Sequence, residues 1–151
     1  MQSQTHLFES SNLTVADAKR RADFTVQFDP IKLEMKGRNP HITVVSSSLP
    51  KGVNLDGEES AYYYIKCSLV QNGIKVNNDS YQIIARIPVY KVPLGEYFEF
   101  VPPAPIRIPL RASPGEKIER VRFWVTNEYH EPLDFDNNDW SLLVVIDSLN
   151  F

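Results

Sequence analysis

Cysteine is nearly absent from this chain. Cys67 is the only one in 151 residues, so no disulfide can form within it. That fits synthesis in a reducing compartment. Long apolar runs are also missing. The longest are about five residues, against the roughly 20 that a membrane helix needs, so no membrane insertion is expected. The N-terminus, MQSQTHLFESSNLT, has neither a basic nor an apolar stretch, and no secretory signal is expected there. The sequons Asn12-Leu13-Thr14 and Asn78-Asp79-Ser80 therefore read as turn or loop residues. Strong charge of either sign is lacking. A formal net charge of −3 gives no reason to expect nucleic acid as a main ligand.

Catalytic signals are equally sparse. His6, His41 and His130 are the only histidines, and none has a His or Cys at metal-ligand spacing. No glycine-rich phosphate loop is present. The serine run Ser46-Ser47-Ser48 lacks the Gly-x-Ser-x-Gly elbow and a nearby base. Asp and Glu are plentiful, but no spacing rule selects a pair of them. The expectation is a protein that is not an enzyme and needs no cofactor.

What the chain does have is strand chemistry. Hydrophobic residues are 42% and charged residues 23%, the balance of an ordinary globular domain rather than a disordered one. Eleven prolines, eight Phe and seven Tyr punctuate or fill short alternating runs. Phe24, Val26 and Phe28 alternate with polar residues, and after Asp29-Pro30 the alternation resumes at Ile31, Leu33 and Met35. Lys36 to Pro40 reads as a turn and Ile42 to Leu49 as a strand. In Ala61 to Gln71, Tyr63, Ile65, Cys67 and Leu69 share the face better suited to a core. Asn72-Gly73 signals a tight turn. Further strands follow at Ser80 to Tyr90, Tyr97 to Val101 and Ile106 to Leu110. Between the last two, Pro102-Pro103-Ala104-Pro105 excludes a central strand and reads as a crossing that guards a sheet edge.

Residues 116–146 read as two strands and a turn. Val121, Phe123 and Val125 alternate with polar neighbours. Leu142 to Ile146 is apolar throughout, as in a strand buried on both faces. Between them EPLDFDNND is turn chemistry. The segment is expected to be the closing hairpin of the domain, with Trp124 and Trp140 partly buried. The fold class is therefore all-β: a single jelly-roll-like β-sandwich of about eight strands, spanning residues 23–151.

Residues 1–22 differ. They are polar and read as an N-terminal arm, with a short helix from Thr14, as N-cap, to Ala22. Lys19, Arg20 and Arg21 fall near its C-terminal end, where positive charge suits the dipole. These three are the candidate partner contacts of the arm on a neighbouring subunit.

Two further groups are candidate sites. Asp134, Asp136 and Asp139 carry oxygens that could hold calcium, although the EF-hand glycine and glutamate are missing and a hydrated turn explains them as well. The acidic pair Glu58-Glu59 lies in a loop read as solvated. Tyr62 and Tyr64, with Trp140, would be the stacking residues of a glycan- or receptor-binding module, against the simpler reading that aromatics pack in strands.

Several pieces taken together resemble a known group. These are FTVQFDPIKLE, HITVVSSS, YYYIKCSLVQNG, APIRIPL and IERVRFWVTNEYHEPLDFDNNDWSLLVVI. The chain is similar to structural proteins encoded by Polinton (Maverick) elements and adenovirus-like viruses. The most specific piece is a strand and turn of the form T-[DN]-x-x-x-x-PLDF, matched by Thr126, Asn127, Pro132, Leu133, Asp134 and Phe135. The resemblance implies a virion protein, a minor capsid or penton-like jelly roll. It would act through contacts with copies of itself, as a trimer or pentamer, and with other capsid proteins. It would be made in the host cytoplasm or nucleus. It supplies no catalytic residues.

Overall fold

The computed structural model describes residues 2–10, 14–15, 22–28, 33–35 and 37–149. Among them the chain is all-β, without an α-helix. The strands are β1 (Gln2–Glu9), β2 (Thr14–Val15), β3 (Asp23–Gln27), β4 (Leu33–Glu34) and β5 (Arg38–Pro50). Then come β6 (Val53–Asn54), β7 (Tyr62–Cys67), β8 (Lys75–Val76), β9 (Asp79–Ser80) and β10 (Ile83–Pro88). The chain ends with β11 (Tyr97–Phe100), β12 (Ile108–Pro109), β13 (Lys117–Ile118), β14 (Arg120–Asn127), β15 (Leu133–Asp134) and β16 (Ser141–Leu149).

Two five-stranded antiparallel sheets enclose one apolar core in a sandwich-like arrangement. The first runs β1-β16-β5-β11, with β12 also on β5; the second runs β10-β7-β14-β3-β2. The alternation seen in sequence is what fills the space between them. Phe24 and Val26 from β3, Tyr63, Ile65 and Cys67 from β7, and Val121, Phe123 and Val125 from β14 are all buried. Ile42, Val44 and Leu49 from β5 and Leu142, Val144 and Ile146 from β16 face them from the first sheet. The Phe24 ring lies 4.9 Å from Trp140 and 5.8 Å from Phe123, centroid to centroid.

Several sequence expectations are corrected. β14 and β16 do not form a hairpin. β14 pairs with β3 and β7 in the second sheet, while β16 pairs with β1 and β5 in the first. The connection between them closes one end of the sandwich by burying Leu133, Phe135 and Trp140. An alternating pattern fixes which face is buried but not which strand is the neighbour. β16 is also not buried on both faces within the chain. Leu142, Val144 and Ile146 are buried, while Leu143 and Val145 on the opposite face stay part-exposed.

The first residues are not an arm lying beside the domain. β1 pairs with β16 along its whole length, from Gln2 opposite Ser148 to Glu9 opposite Ser141. Phe8 is buried, 5.1 Å from Phe123. Ser10 then ties the strand to the closing segment. Its N–H donates to the Trp140 carbonyl (2.9 Å), and its hydroxyl donates to Asp139 (3.0 Å) while accepting the Trp140 N–H (2.9 Å). The helix expected from Thr14 does not start there. Thr14 and Val15 pair with Thr25 and Phe24 as an edge of the second sheet. Both are β-branched, and tertiary pairing outweighs a weak capping signal. Lys19, Arg20 and Arg21, like Asp29-Pro30, lie outside the described residues.

The turn expected over Lys36 to Pro40 shrinks, because β5 already begins at Arg38. Asn39 absorbs the irregularity with φ of 51°. The proline segment after β11 does border a sheet edge. β11 pairs with Ser47 to Pro50 and β12 with His41 and Ile42, so residues 101–107 leave the β5 ladder between them.

Candidate functional site

The outer face of the second sheet collects most of the chain's unusual chemistry. On β7 the residues opposite the core face are Tyr62, Tyr64 and Lys66. β14 adds Arg122, Trp124 and Thr126 beside them, with Trp124 opposite Lys66 and Thr126 opposite Tyr64. On the other side β10 sets Arg86 opposite Tyr64.

The centre of this face is covered. Lys66 is only 7% exposed. Its ammonium donates to His130 Nδ1 at 2.9 Å, which fixes His130 as the neutral tautomer protonated on Nε2. The His130 ring is stacked between Tyr81 (4.2 Å) and Tyr64 (5.4 Å). His130 reaches this position because its backbone is left-handed, φ 63°, at the end of the turn after β14. Burial, then the Lys66 charge, hold His130 below its ordinary pKa; burial alone lowers Lys66. This is a satisfied polar plug over the sheet, and sequence periodicity could not have found it. Residues 66, 81 and 130 meet only because separate loops fold over one strand.

The margins of the face differ from one another. Toward β3, Arg122 stacks over Trp124 (4.2 Å) and donates to both carboxylate oxygens of Asp23 (2.8 and 2.6 Å), so its donors are engaged. Toward β10, the Arg86 guanidinium lies over the Tyr62 ring at 3.8 Å. Tyr62 also packs at 6.0 Å from Tyr90, which is 58% exposed. Lys91 sits 5.7 Å over the Tyr90 ring.

The other sequence candidates fall elsewhere. Trp140 is buried in the core and Tyr64 lies beneath His130, so neither can be an exposed stacking group. Of the three proposed stacking residues only Tyr62 keeps an accessible ring. Asp134, Asp136 and Asp139 are not gathered. Asp134 accepts the Asp136 N–H (2.8 Å) as an Asx turn, and Asp139 accepts from Ser10. Among the described residues no three His, Cys, Asp or Glu side chains are placed to hold a metal. Asp136 and Asn137 have positive φ, so this stretch is turn chemistry.

The Thr126-Asn127 and Pro132-Leu133-Asp134-Phe135 motif has a structural cause as well. The Asn127 side chain accepts the N–H groups of Tyr129 and Glu131 (both 2.9 Å) and donates to the Glu131 carboxylate (2.8 Å). Thr126 bridges Pro132, and Leu133 and Phe135 are buried plugs.

Among the described residues, cavities lie near both ends of β5. One of about 250 Å³ is lined by Lys51, Val53, Leu94, Asp134 and Phe135. Buried Lys51 donates to the carbonyls of Val89 (2.6 Å) and Val92 (3.2 Å), with Glu59 at 3.9 Å, which makes it a staple of the loops. The other, about 450 Å³, is an open groove lined by Arg38, His41, Arg107 and several prolines. There Arg107 holds buried Asp147 in a bidentate ion pair.

Comparison with known proteins adds no assignment. No protein-family model matches the chain, and no curated protein does.

Proposed function

We propose that this chain is a non-enzymatic structural subunit of a virion, a minor capsid or penton-like jelly roll that acts through contacts with copies of itself and with other capsid proteins. The strand order supports the jelly-roll reading. Its eight main strands in chain order are β1, β3, β5, β7, β10, β11 continued by β12, β14 and β16. They belong in turn to the first, second, first, second, second, first, second and first sheets. That path is the one expected of two interlocked Greek keys. The resemblance of the Thr126 to Phe135 motif to virion proteins of Polinton elements and adenovirus-like viruses points the same way.

The observation that carries the subunit reading is the second face of β16. Its sequence is apolar on both faces, yet among the described residues only one face is fully buried. Leu143 and Val145 on the other face lie opposite Leu7 and Thr5 of β1 and opposite Ser46 and Thr43 of β5. Leu7 is 59% and Val45 38% exposed, and no charged side chain comes from these positions. Glu9, Glu99 and Asp147 border this apolar patch toward the strand ends, and an apolar patch with a charged rim suits burial against a neighbouring subunit.

The test is the mass in solution by light scattering, for the natural chain and for Val145→Lys. A stable trimer or pentamer that Val145→Lys dissociates into folded monomers supports the reading. A natural chain that stays monomeric at high concentration, and fails to join other capsid proteins, counts against it. Deleting residues 1–22 is not an equivalent test, because it removes β1 from the sheet.

A further inference from the structure

The geometry points to Arg86, with Tyr62, Tyr90 and Lys91, as a binding site for an acidic saccharide, a sugar ring carrying a carboxylate. This goes beyond the structural role proposed above and does not depend on it. Three arginines differ in what they meet. Arg122 and Arg107 each hold an in-chain carboxylate, Asp23 and Asp147. Arg86 is the contrast. Its guanidinium carbon lies 3.8 Å over the Tyr62 ring, yet among the described residues it has no hydrogen bond or ion pair. Stacking uses the face of a guanidinium and leaves its in-plane N–H donors free, in the fork that fits a carboxylate. The side chain is thus already ordered for an anion that the protein does not supply.

The surroundings select the kind of anion. Tyr90 is 58% exposed and lies 6.0 Å from Tyr62, so an apolar sugar face has a ring to rest on beside the fork. Lys91, over Tyr90, adds a second cation, and it too is without an acceptor among the described residues. Glu128 forms no ion pair with Arg86 or Lys91 among the described residues. Its carboxylate accepts the N–H groups of Tyr62 (2.9 Å) and Ala61 (3.4 Å). Two cations on a chain of net charge −3 suit one carboxylate. They do not form the long basic track that a phosphate backbone requires.

The experiment is saturation-transfer NMR and titration calorimetry on the full chain. Sialyllactose is the probe, with lactose, acetate and a single-stranded oligonucleotide as comparisons. Sialyllactose is expected to bind through its sialic acid ring, and lactose and acetate are not. Arg86→Gln should weaken binding about tenfold, the loss of a charge-assisted bidentate contact. Tyr90→Ala should weaken it severalfold. Both positions are exposed, and an unchanged melting temperature confirms that the variants fold. The inference is overturned if sialyllactose does not bind, if Arg86→Gln binds as well as the natural chain, or if the oligonucleotide binds instead.

Discussion

Replacing Phe8 by alanine is the sharpest test of whether the first residues belong to the fold. Phe8 is 6% exposed, packed 5.1 Å from Phe123 and 6.3 Å from Phe28. Its neighbour Leu7 is 59% exposed on the other face of the same strand. Truncating a buried Phe costs about 3–5 kcal/mol, and an edge strand that can partly collapse belongs near 3. For a chain of this size each kcal/mol moves the melting temperature by about 2–4 °C, so Phe8→Ala should lower it by about 6–12 °C. Leu7→Ala should stay within about 0.5 kcal/mol of the natural chain when measured as a monomer. Urea unfolding followed by tryptophan fluorescence gives both values, since Trp140 lies in the same core. Equal and small effects of the two substitutions would refute the pairing of β1 with β16 and return residues 2–9 to a free arm.

Three other outcomes follow from the geometry. His130 lies below its ordinary value of 6.5 because burial and Lys66 disfavour its charged form. The unfolded chain therefore takes up a proton that the folded chain refuses, and stability falls as pH drops through about 6.5. His6 is lowered too, by burial. The comparison is therefore His130→Asn, which tolerates the positive φ, against the natural chain in thermal melts from pH 8 to 5. An unchanged pH slope would show that His130 is not the neutral acceptor. Cys67 is buried and its thiol is pushed up to about 12, so a thiol reagent should label it only on unfolding. Rapid labelling of the folded chain would place it outside the core. A Cβ at Gly73 would run into the carbonyl oxygens of Ile83 and Tyr81, so Gly73→Ala should cost about 1–3 kcal/mol in denaturant unfolding. A neutral substitution there would mean the turn is open.

The Asn72-Gly73 pair shows how a sequence signal can be right for another reason. A glycine in that turn was legible, but its φ is not the positive one that a tight hairpin turn uses. What requires glycine is the close approach of its backbone to Ile83, with Gly73 N–H donating to the Tyr81 carbonyl at 2.8 Å. Tyr62 and Tyr64 show the limit from the other side. Period two puts them on one face, and the structure does too. His130 then buries one and leaves the other half-open, through a contact 66 residues apart in chain numbering.

The all-β class, the inward faces of β3, β7 and β14, the turn chemistry of Asp134 to Asp139 and the absence of a disulfide within the chain were all legible in the residue pattern. Each of these is a local property. Side-chain alternation, proline and Asx chemistry act over a few residues and need no partner strand. Tertiary structure alone decided that β14 and β16 lie in different sheets, that residues 2–9 form an edge strand, and that Lys66 is covered by His130. It also decided which arginines meet a carboxylate, Arg107 and Arg122, while Arg86 lies on a tyrosine instead. Those outcomes depend on which strand becomes the neighbour. The alternating pattern is the same whichever partner is chosen, so only the burial of the whole chain selects among them.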